Sequence, residues 1–427
     1  RYQPISHSMY IDLGGPMKFG LLGRTLGHSF SPRIHSALGN TNYELFEREP
    51  SQLQEFFADP ELQGINITIP YKVNALEACD VVDPRAERIG CVNTMVRKDG
   101  KWHGYNTDYD GFVFTLQHAG IDVSGKECII LGDGASSATV HVALEDLGAK
   151  NIVHLSRKTA PFYGDAPNYY ETAQIIINCT PIGMYPHNPA NLIDITQFSK
   201  LEGVVDLIYN PRRTILLLQA EMMEIPHCDG LPFLVAQGVE AANHFQGESF
   251  GTKEIEQILR DMRREKENII LIGMPGVGKT TVGKALGEEM GRTCVDVDQE
   301  LEKEIGDIST YITEQEEPAF REKEAEMIAK LGTQTGLVIS TGGGCVTVPK
   351  NFAHLRQNGR IYQLTQPVEN LSTTGRVLSS GGLDRLRELE EIRTPMYESF
   401  AQCIIEHNRN APETVAAILE DFEANLL

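Results

Sequence analysis

Eight cysteines in 427 residues are few and scattered: Cys79, Cys91, Cys128, Cys179, Cys228, Cys294, Cys345 and Cys403 never form a Cys-x-x-Cys pair. That spacing excludes a zinc-ribbon type of metal site and a disulfide framework, and it reads as reduced thiols of a cytoplasmic protein. No apolar run approaches the about 18 residues that a membrane-spanning helix needs. The first residues have neither a basic stretch nor an apolar core, so no secretory signal is expected. Basic residues are also short: 38 Lys and Arg stand against 59 Asp and Glu, a formal net charge of −21. Such a surface repels nucleic acid, whose phosphates demand a basic face. Any anionic ligand must then be captured by local Lys, Arg and backbone N–H groups against an unfavourable overall field. Length alone suggests two to three domains. Met17 reads as a natural start, and residues 1–16 as a leader or appended remnant without a function.

What is present begins with a phosphate-binding loop. Residues 269–272 form an apolar strand, followed by Gly273-Met274-Pro275-Gly276-Val277-Gly278-Lys279-Thr280-Thr281 and a helical pattern. Glycines let successive N–H groups turn onto a phosphate, and the helix N-terminus adds positive potential. Lys279 is expected to reach the β- and γ-phosphates of ATP, and Thr280 to ligate Mg²⁺. Downstream, Asp296 and Asp298 end a second strand and are expected on one side of it. One carboxylate near Mg²⁺ and one near an acceptor hydroxyl suit phosphoryl transfer, although a solvated strand end would leave the same pattern. Phe320-Arg321-Glu322-Lys323-Glu324 follows, then Gly342-Gly343-Gly344 after an apolar strand.

In this order the motifs resemble shikimate kinase over residues 268 to about 420. The resemblance implies a P-loop, nucleoside-monophosphate-kinase-like three-layer α/β domain. It implies that Asp296 assists Mg²⁺ and that Asp298 orients or deprotonates the acceptor hydroxyl. Arg321 and Arg393 would hold the shikimate carboxylate, and the backbone around Gly343 the ring hydroxyls. Arg376 would be the lid arginine that neutralises the transferring phosphoryl group. Arg409 would lie in the adenine-side loop. Two positions depart from the family pattern: Val377 replaces a lid proline, and Glu316 replaces a glycine before the Phe-Arg motif.

The first part of the chain carries a different set. Ser29 and Ser31 precede the helix-starting Pro32, where two hydroxyls can share one carboxylate or Ser31 can simply cap the helix. Alternation puts Asn66 and Thr68 on one face of a strand, with Lys72 just beyond. Asn93 and Asp108 follow at two further turns. A Lys and an Asp at strand ends can form a proton-handling pair. Then Gly132-Asp133-Gly134-Ala135-Ser136 sits between a strand and a helix, and a second strand leads to Ser156-Arg157-Lys158. A bare Gly-x-Gly is weak, but the strand–turn–helix–strand setting is a dinucleotide unit. Basic residues about 20 positions on favour the 2′-phosphate of NADP(H) over NAD.

These motifs, with Asn178-Cys179-Thr180-Pro181, Asp206-Leu207-Ile208-Tyr209 and Gln237, resemble shikimate dehydrogenase over about residues 17–262. The resemblance implies a two-lobed enzyme with a Rossmann-type NADP lobe at residues 111–237 and a substrate lobe at 17–110 plus 238–262. Ser29, Ser31 and Tyr209 would hold the substrate carboxylate. Asn66, Thr68, Asn93 and Gln237 would hold its hydroxyls, and Lys72 and Asp108 would form the catalytic pair. Gly132, Gly134, Ala135, Ser136, Ser156, Arg157 and Lys158 would bind NADP(H). Ala135 and Ser136 depart from the usual Gly-Ala. The short, proline-bearing stretch 158–170 is expected to be irregular rather than a crossover helix.

Residues 252–268 read as a helix whose face Ile255, Ile258, Leu259 and Met262 docks on the dehydrogenase. Its charged last turns, residues 263–267, are expected to be a short solvated linker to a kinase at 268–427. The whole reads as a fused enzyme with small-molecule partners, reducing 3-dehydroshikimate and then phosphorylating shikimate. A non-catalytic regulator on the same folds, or a dehydrogenase that also takes quinate, remains open at this stage.

Overall fold

Strands buried along their whole length, rather than alternating in and out, dominate the chain. β9, β10 and β12 below are buried at every position, the pattern of parallel sheets covered on both faces. The computed structural model describes residues 17–27, 29–186, 188–372 and 382–427. Among them, no helix is long and apolar enough to cross a membrane. Residues 1–16, Arg376 and Val377 lie outside the described residues.

The first sheet is mixed. Its strands are Lys18–Gly23 (β1), Tyr43–Glu47 (β2), Leu62–Ile67 (β3), Val81–Val82 (β4), Thr94–Lys98 (β5) and Lys101–Tyr105 (β6), in the order β2-β1-β3-β5-β6-β4. Helices Ser31–Ala37 (α1), Leu53–Ala58 (α2), Lys72–Ala78 (α3) and Pro84–Ile89 (α4) connect them. Asp108–Ala119 (α5) leads to the second sheet, which is wholly parallel: Glu127–Leu131 (β7), Asn151–Leu155 (β8), Ile175–Asn178 (β9), Gly203–Asp206 (β10) and His227–Cys228 (β11), ordered β11-β10-β9-β7-β8. Ala135–Asp146 (α6) joins β7 to β8 as a right-sized crossover. No α-helix joins β8 to β9; a 3-10 turn at Tyr163–Tyr169 stands there, the irregular stretch that its prolines dictate. Ile215–Met222 (α7), Leu231–Gln246 (α8) and Thr252–Lys266 (α9) follow. α8 lies along α5 and also touches α1, so both α5 and α8 run through the expected lobe boundaries.

The third sheet is again wholly parallel. Asn268–Gly273 (β12) is its centre, flanked by Val338–Ser340 (β14) and Gly359–Thr365 (β15), with Cys294–Asp296 (β13) and Cys403–Glu406 (β16) at the edges. Lys279–Met290 (α10), Val297–Ile305 (α11), Ile308–Gly332 (α12), Lys350–Arg356 (α13), Gly382–Phe400 (α14) and Ala411–Ala424 (α15) complete it. The chain leaves β12 toward one side and returns on the other. Its carboxyl end is therefore a topological switch point, where α/β proteins bind ligands.

The chain divides into two compact units. One comprises the described residues up to Asn210 with Gln219–Leu259; the other comprises Pro211–Leu218 with Arg260–Leu427. The division falls inside α9, and residues 263–267 are not the solvated linker expected from their charge. Arg263 and Glu267 are 5% and 4% exposed. The Arg263 guanidinium donates to the Leu426 carbonyl, while Glu267 binds Arg212 and Arg213 of the same unit. Charged side chains can be buried when each finds a partner, and composition alone does not reveal that partner.

A second difference concerns Asp298. The strand ends at Asp296, whose carboxylate accepts the backbone N–H groups of Asp298 and Gln299 and so caps α11. Asp298 therefore lies in the first turn of a helix, not beside Asp296 on a strand.

α12 is interrupted at Glu316, which takes φ 68° and ψ 160°. That region is open essentially to glycine alone, which explains why a glycine is the usual residue here. Glu316→Gly is expected to stabilise this unit by about 1 kcal/mol. A calorimetric scan of the full chain checks it; an unchanged or lower transition for this unit would refute the strain.

Candidate active sites

Asp108 opens α5, where the helix dipole favours a carboxylate, and Lys72 opens α3, where it opposes an ammonium. The two meet: Lys72 Nζ donates to Asp108 Oδ2 at 2.5 Å, with side chains 11% and 6% exposed. Burial pushes the Lys72 ammonium down, but the Asp108 charge and hydrogen bond outweigh it, and its pKa is raised. Asn93 fixes the acid. Its Nδ2 donates to Asp108 Oδ1 and Thr107 Oγ1, both at 3.0 Å, and its Oδ1 accepts the Thr107 N–H at 2.7 Å.

Asn66 belongs to the same network. Its Nδ2 donates to Thr94 Oγ1 at 3.0 Å, and Thr94 Oγ1 lies 3.3 Å from Thr107 Oγ1. Its Oδ1 accepts from Tyr43 Oη at 2.7 Å and from His35 Nε2 at 3.1 Å. Burial holds His35 down to about 3, so it is a neutral donor. The Ser31 N–H donates to Ser29 Oγ at 3.2 Å. Ser31 lies inside α1 and makes no side-chain cap there. The Tyr209 ring packs 5.6 Å from that of Phe30, between the two serines in sequence. Gln237 sits on α8, which approaches α5 so closely at Gly111 that a Cβ there would lie 2.8 Å from the Phe233 carbonyl. Thr68 follows the end of β3 and donates its N–H to the Leu22 carbonyl. His35, Tyr43, Thr94 and Thr107 received no role from sequence. Only burial marks them, since they hold the site's amides in fixed orientation.

The dinucleotide turn follows β7. Gly132 has φ 119°, and a Cβ there would lie 3.0 Å from Ser137 Oγ. Gly134 precedes α6 in extended conformation, with no protein atom near the place of a Cβ. α6 has no side-chain cap, so its first N–H groups are left to an anion, as a pyrophosphate requires. Ala135 packs toward Ile89 and Cys91 of the first sheet's connections, and Ser136 is half-buried beside it. Arg157 and Lys158 are exposed at the end of β8. Ser156 is different: its hydroxyl accepts from the N–H groups of Lys158 and Thr159 and donates within the same turn. It shapes the loop and presents no free hydroxyl.

In the second unit, Gly276 takes φ 87°, and a Cβ there would lie 2.3 Å from the Ser372 carbonyl; only glycine closes this loop. Lys279 Nζ donates to the carbonyls of Gly273 and Met274 at 2.7 and 3.0 Å, curling the loop around the ammonium. Val277 anchors the loop in the core, and Thr281 is exposed on α10. Thr280 Oγ1 donates to Asp296 Oδ2 at 2.6 Å. That hydroxyl–carboxylate pair is an oxygen donor set suited to a hard cation. Beyond it, Asp298 and Glu324 both face Gly342, where a Cβ would lie 2.9 and 2.5 Å from their oxygens. Arg321 covers Gly344 and pairs with Glu324 at 2.7 Å and Glu317 at 3.0 Å. Arg393 donates to the Gly343 carbonyl at 3.2 Å, and Tyr397 Oη donates to it too. The triple-glycine loop thus gathers Asp298, Arg321 and Arg393 from three separate helices. Arg409 stands apart, exposed, donating to the Asn370 carbonyl at 2.8 Å. His407, absent from the sequence reading, lies over Gly278.

Family comparisons agree with this division of chemistry. Residues 21–95 match the family described as the shikimate dehydrogenase substrate binding domain, and residues 275–423 match shikimate kinase. A shikimate dehydrogenase (NADP(+)) of Clostridium perfringens is 35% identical over 265 residues, 57% of this chain and 98% of that protein. The crystal structure of a chorismate mutase/shikimate 5-dehydrogenase fusion protein from Clostridium acetobutylicum is 31% identical, with a TM-score of 0.55, covering 58% of this chain and 97% of its own. Shikimate 5-dehydrogenase from Thermus thermophilus, solved with NADP(H) and shikimate, is 29% identical with a TM-score of 0.50, covering 57% and 99%. With one unit built around a buried Lys–Asp pair and a dinucleotide turn, and the other around a phosphate loop, the chain belongs to the shikimate dehydrogenase family, carries a shikimate kinase domain in the same polypeptide, and is a bifunctional enzyme of the shikimate pathway.

Proposed function

We propose that the first unit reduces 3-dehydroshikimate to shikimate with NADPH and that the second converts shikimate to shikimate 3-phosphate with ATP and Mg²⁺. The observation that carries the first half is the buried Lys72–Asp108 pair. An ammonium held charged by its carboxylate is a proton donor poised for a developing alkoxide. When bound, NADPH supplies the hydride. Lys72 Nζ delivers its proton to the alkoxide oxygen, and Asp108 keeps the amine oriented for recharging from solvent. Ser29, Ser31 and Tyr209 would bind the carboxylate, and Asn66, Thr68, Asn93 and Gln237 the hydroxyls. The uncapped start of α6, with Gly132, Gly134, Ala135 and Ser136, would take the pyrophosphate, and Arg157 and Lys158 the 2′-phosphate. The Thermus thermophilus relative solved with NADP(H) and shikimate supports both ligands.

In the second unit, ATP supplies the phosphoryl group when bound. Lys279 and the N–H groups of residues 276–281 would hold its phosphates, with Thr280 and Asp296 the ligands of Mg²⁺. Asp298 would orient or deprotonate the acceptor hydroxyl, while Arg321 and Arg393 would hold the carboxylate and the Gly343 backbone the ring hydroxyls. Arg376 would belong to the lid and Arg409 to the adenine side. Glu324 joins this set: fully buried, it holds the Arg321 guanidinium, and burial raises its carboxyl while Arg321 pulls it down, leaving it raised overall.

A coupled assay with 3-dehydroshikimate and NADPH, with and without ATP, tests the whole reading by following NADPH oxidation and ADP formation separately. NADPH oxidation that yields no ADP on addition of ATP would remove the kinase half. Lys72→Ala should lower the reductase kcat about 10²- to 10⁴-fold with ADP formation from added shikimate intact. Lys279→Ala should abolish ADP formation and leave NADPH oxidation unchanged; loss of both in either variant would contradict two independent sites. Glu324→Gln should raise the KM for shikimate on the order of tenfold through a mispositioned Arg321. An equal rise in the KM for ATP would assign Glu324 a general structural role instead.

A further inference from the structure

An imidazole packs against the phosphate loop and takes no part in the chemistry above. His407 follows β16, and its backbone N–H donates to the Thr365 carbonyl at 2.8 Å, one position past the β15–β16 ladder. The residue is 6% exposed. On one edge of the ring, Nδ1 lies 2.7 Å from Oγ1 of Thr414 on α15. The other edge meets Gly278. Nε2 and Cδ2 lie 2.9 and 3.1 Å from where a Cβ would stand there, so the ring fills the space a side chain would take.

The Thr414 hydroxyl has one proton and gives it to the Asn410 carbonyl at 3.0 Å. The short contact to His407 therefore needs a proton on Nδ1, and the ring is the donor. Burial holds this imidazole below its ordinary range, which leaves it neutral. The bond to Thr414 also closes the residues between. Residues 408–410 have no regular secondary structure and are held by side chains. Asn410 caps α15 by accepting the Glu413 N–H at 3.3 Å. Arg409 takes φ 58°, and its guanidinium donates to the Asn370 carbonyl at 2.8 Å. On the phosphate loop, Gly276 is held separately: its carbonyl accepts from Gln366 Nε2 at 3.4 Å and from the Ser372 N–H at 3.3 Å. His407 meets that loop two residues further on. One rigid ring thus touches both the loop that cradles phosphates and the start of α15, and close-packed groups transmit position.

We propose that His407 is a positioning residue of the kinase, a strut that sets the spacing between the phosphate loop and residues 408–410 and thereby the affinity for ATP. A nucleoside triphosphate spans both: its phosphates would lie on residues 276–281 and its base beside Arg409. Fixing that span before the nucleotide arrives removes an ordering cost from binding. The shikimate groups Asp298, Arg321 and Arg393 gather instead at the triple-glycine loop, and the strut touches none of them. The proposal rests on the reading of the second unit as the ATP-dependent kinase.

The test is steady-state kinase kinetics of the full chain, with the KM for ATP and the KM for shikimate measured separately. Thr414→Val keeps the shape and removes the acceptor. It should raise the KM for ATP about fivefold and leave the KM for shikimate and NADPH oxidation unchanged. Thr414→Ser keeps the hydroxyl and should match the wild type. His407→Ala should raise the KM for ATP about tenfold, and adding Thr414→Val to it should change little more, because both act through one ring. An unchanged KM for ATP in both single variants would overturn the strut. A parallel rise in the KM for shikimate, or independent addition of the two effects, would overturn it too. So would ¹⁵N imidazole spectra near neutral pH, assigned by the signal lost in His407→Ala, that show His407 protonated at Nε2. Absence of ATP-dependent phosphorylation by the wild type would overturn the kinase reading itself, and the strut's purpose with it.

Discussion

Every substrate and nucleotide proposed for this chain is an anion, and the chain itself carries a net charge of −21. That conflict organises both units. Bulk potential cannot attract a nucleotide or a carboxylate, so each site concentrates fixed donors where solvent screens them least. The uncapped start of α6 and the glycine loop before α10 are two forms of one solution, backbone N–H groups aimed by a helix N-terminus. Buried cations supply the rest: Lys72, Lys279 and Arg393 are each below a tenth exposed.

Burying a cation is costly unless it is paired, and the pairing is where the machinery gains its precision. Lys72 stays charged because Asp108 lies against it, and Asp108 stays in place because Asn93 grips its other oxygen. Arg321 is steered by Glu317 and Glu324 before any substrate arrives. In both units the partner that neutralises a charge also aims it.

Much of the fold was legible because its signals are local. A glycine loop between an apolar strand and a helix needs no distant residue to be read, and the same is true of the turn at Gly132. Where reading by local pattern failed, a hydrogen bond or ion pair that the pattern does not specify had intervened. Residues 263–267 look like a solvated charge run, yet Arg263 is engaged by the carbonyl of Leu426 and Glu267 by Arg212 and Arg213. Asp298 looks like a strand residue until Asp296 turns its carboxylate back to start a helix. Ser156 looks like a ligand-facing hydroxyl, but its own loop consumes all its hydrogen-bonding capacity.

The amino-acid order by itself determined which chemistry each half carries: a phosphate loop with its Asp-x-Asp and Phe-Arg motifs, and a Lys, an Asp and a dinucleotide turn in fixed succession. These follow from residue type and spacing within a strand or a turn of helix. Only the tertiary structure decided how those groups are held. It brought Tyr43, His35, Thr94 and Thr107 around the site amides, and set His141 and His154 together behind Gly132. The reason is physical. A hydrogen bond between residues tens of positions apart depends on sheet order and helix packing, and no local spacing encodes that distance.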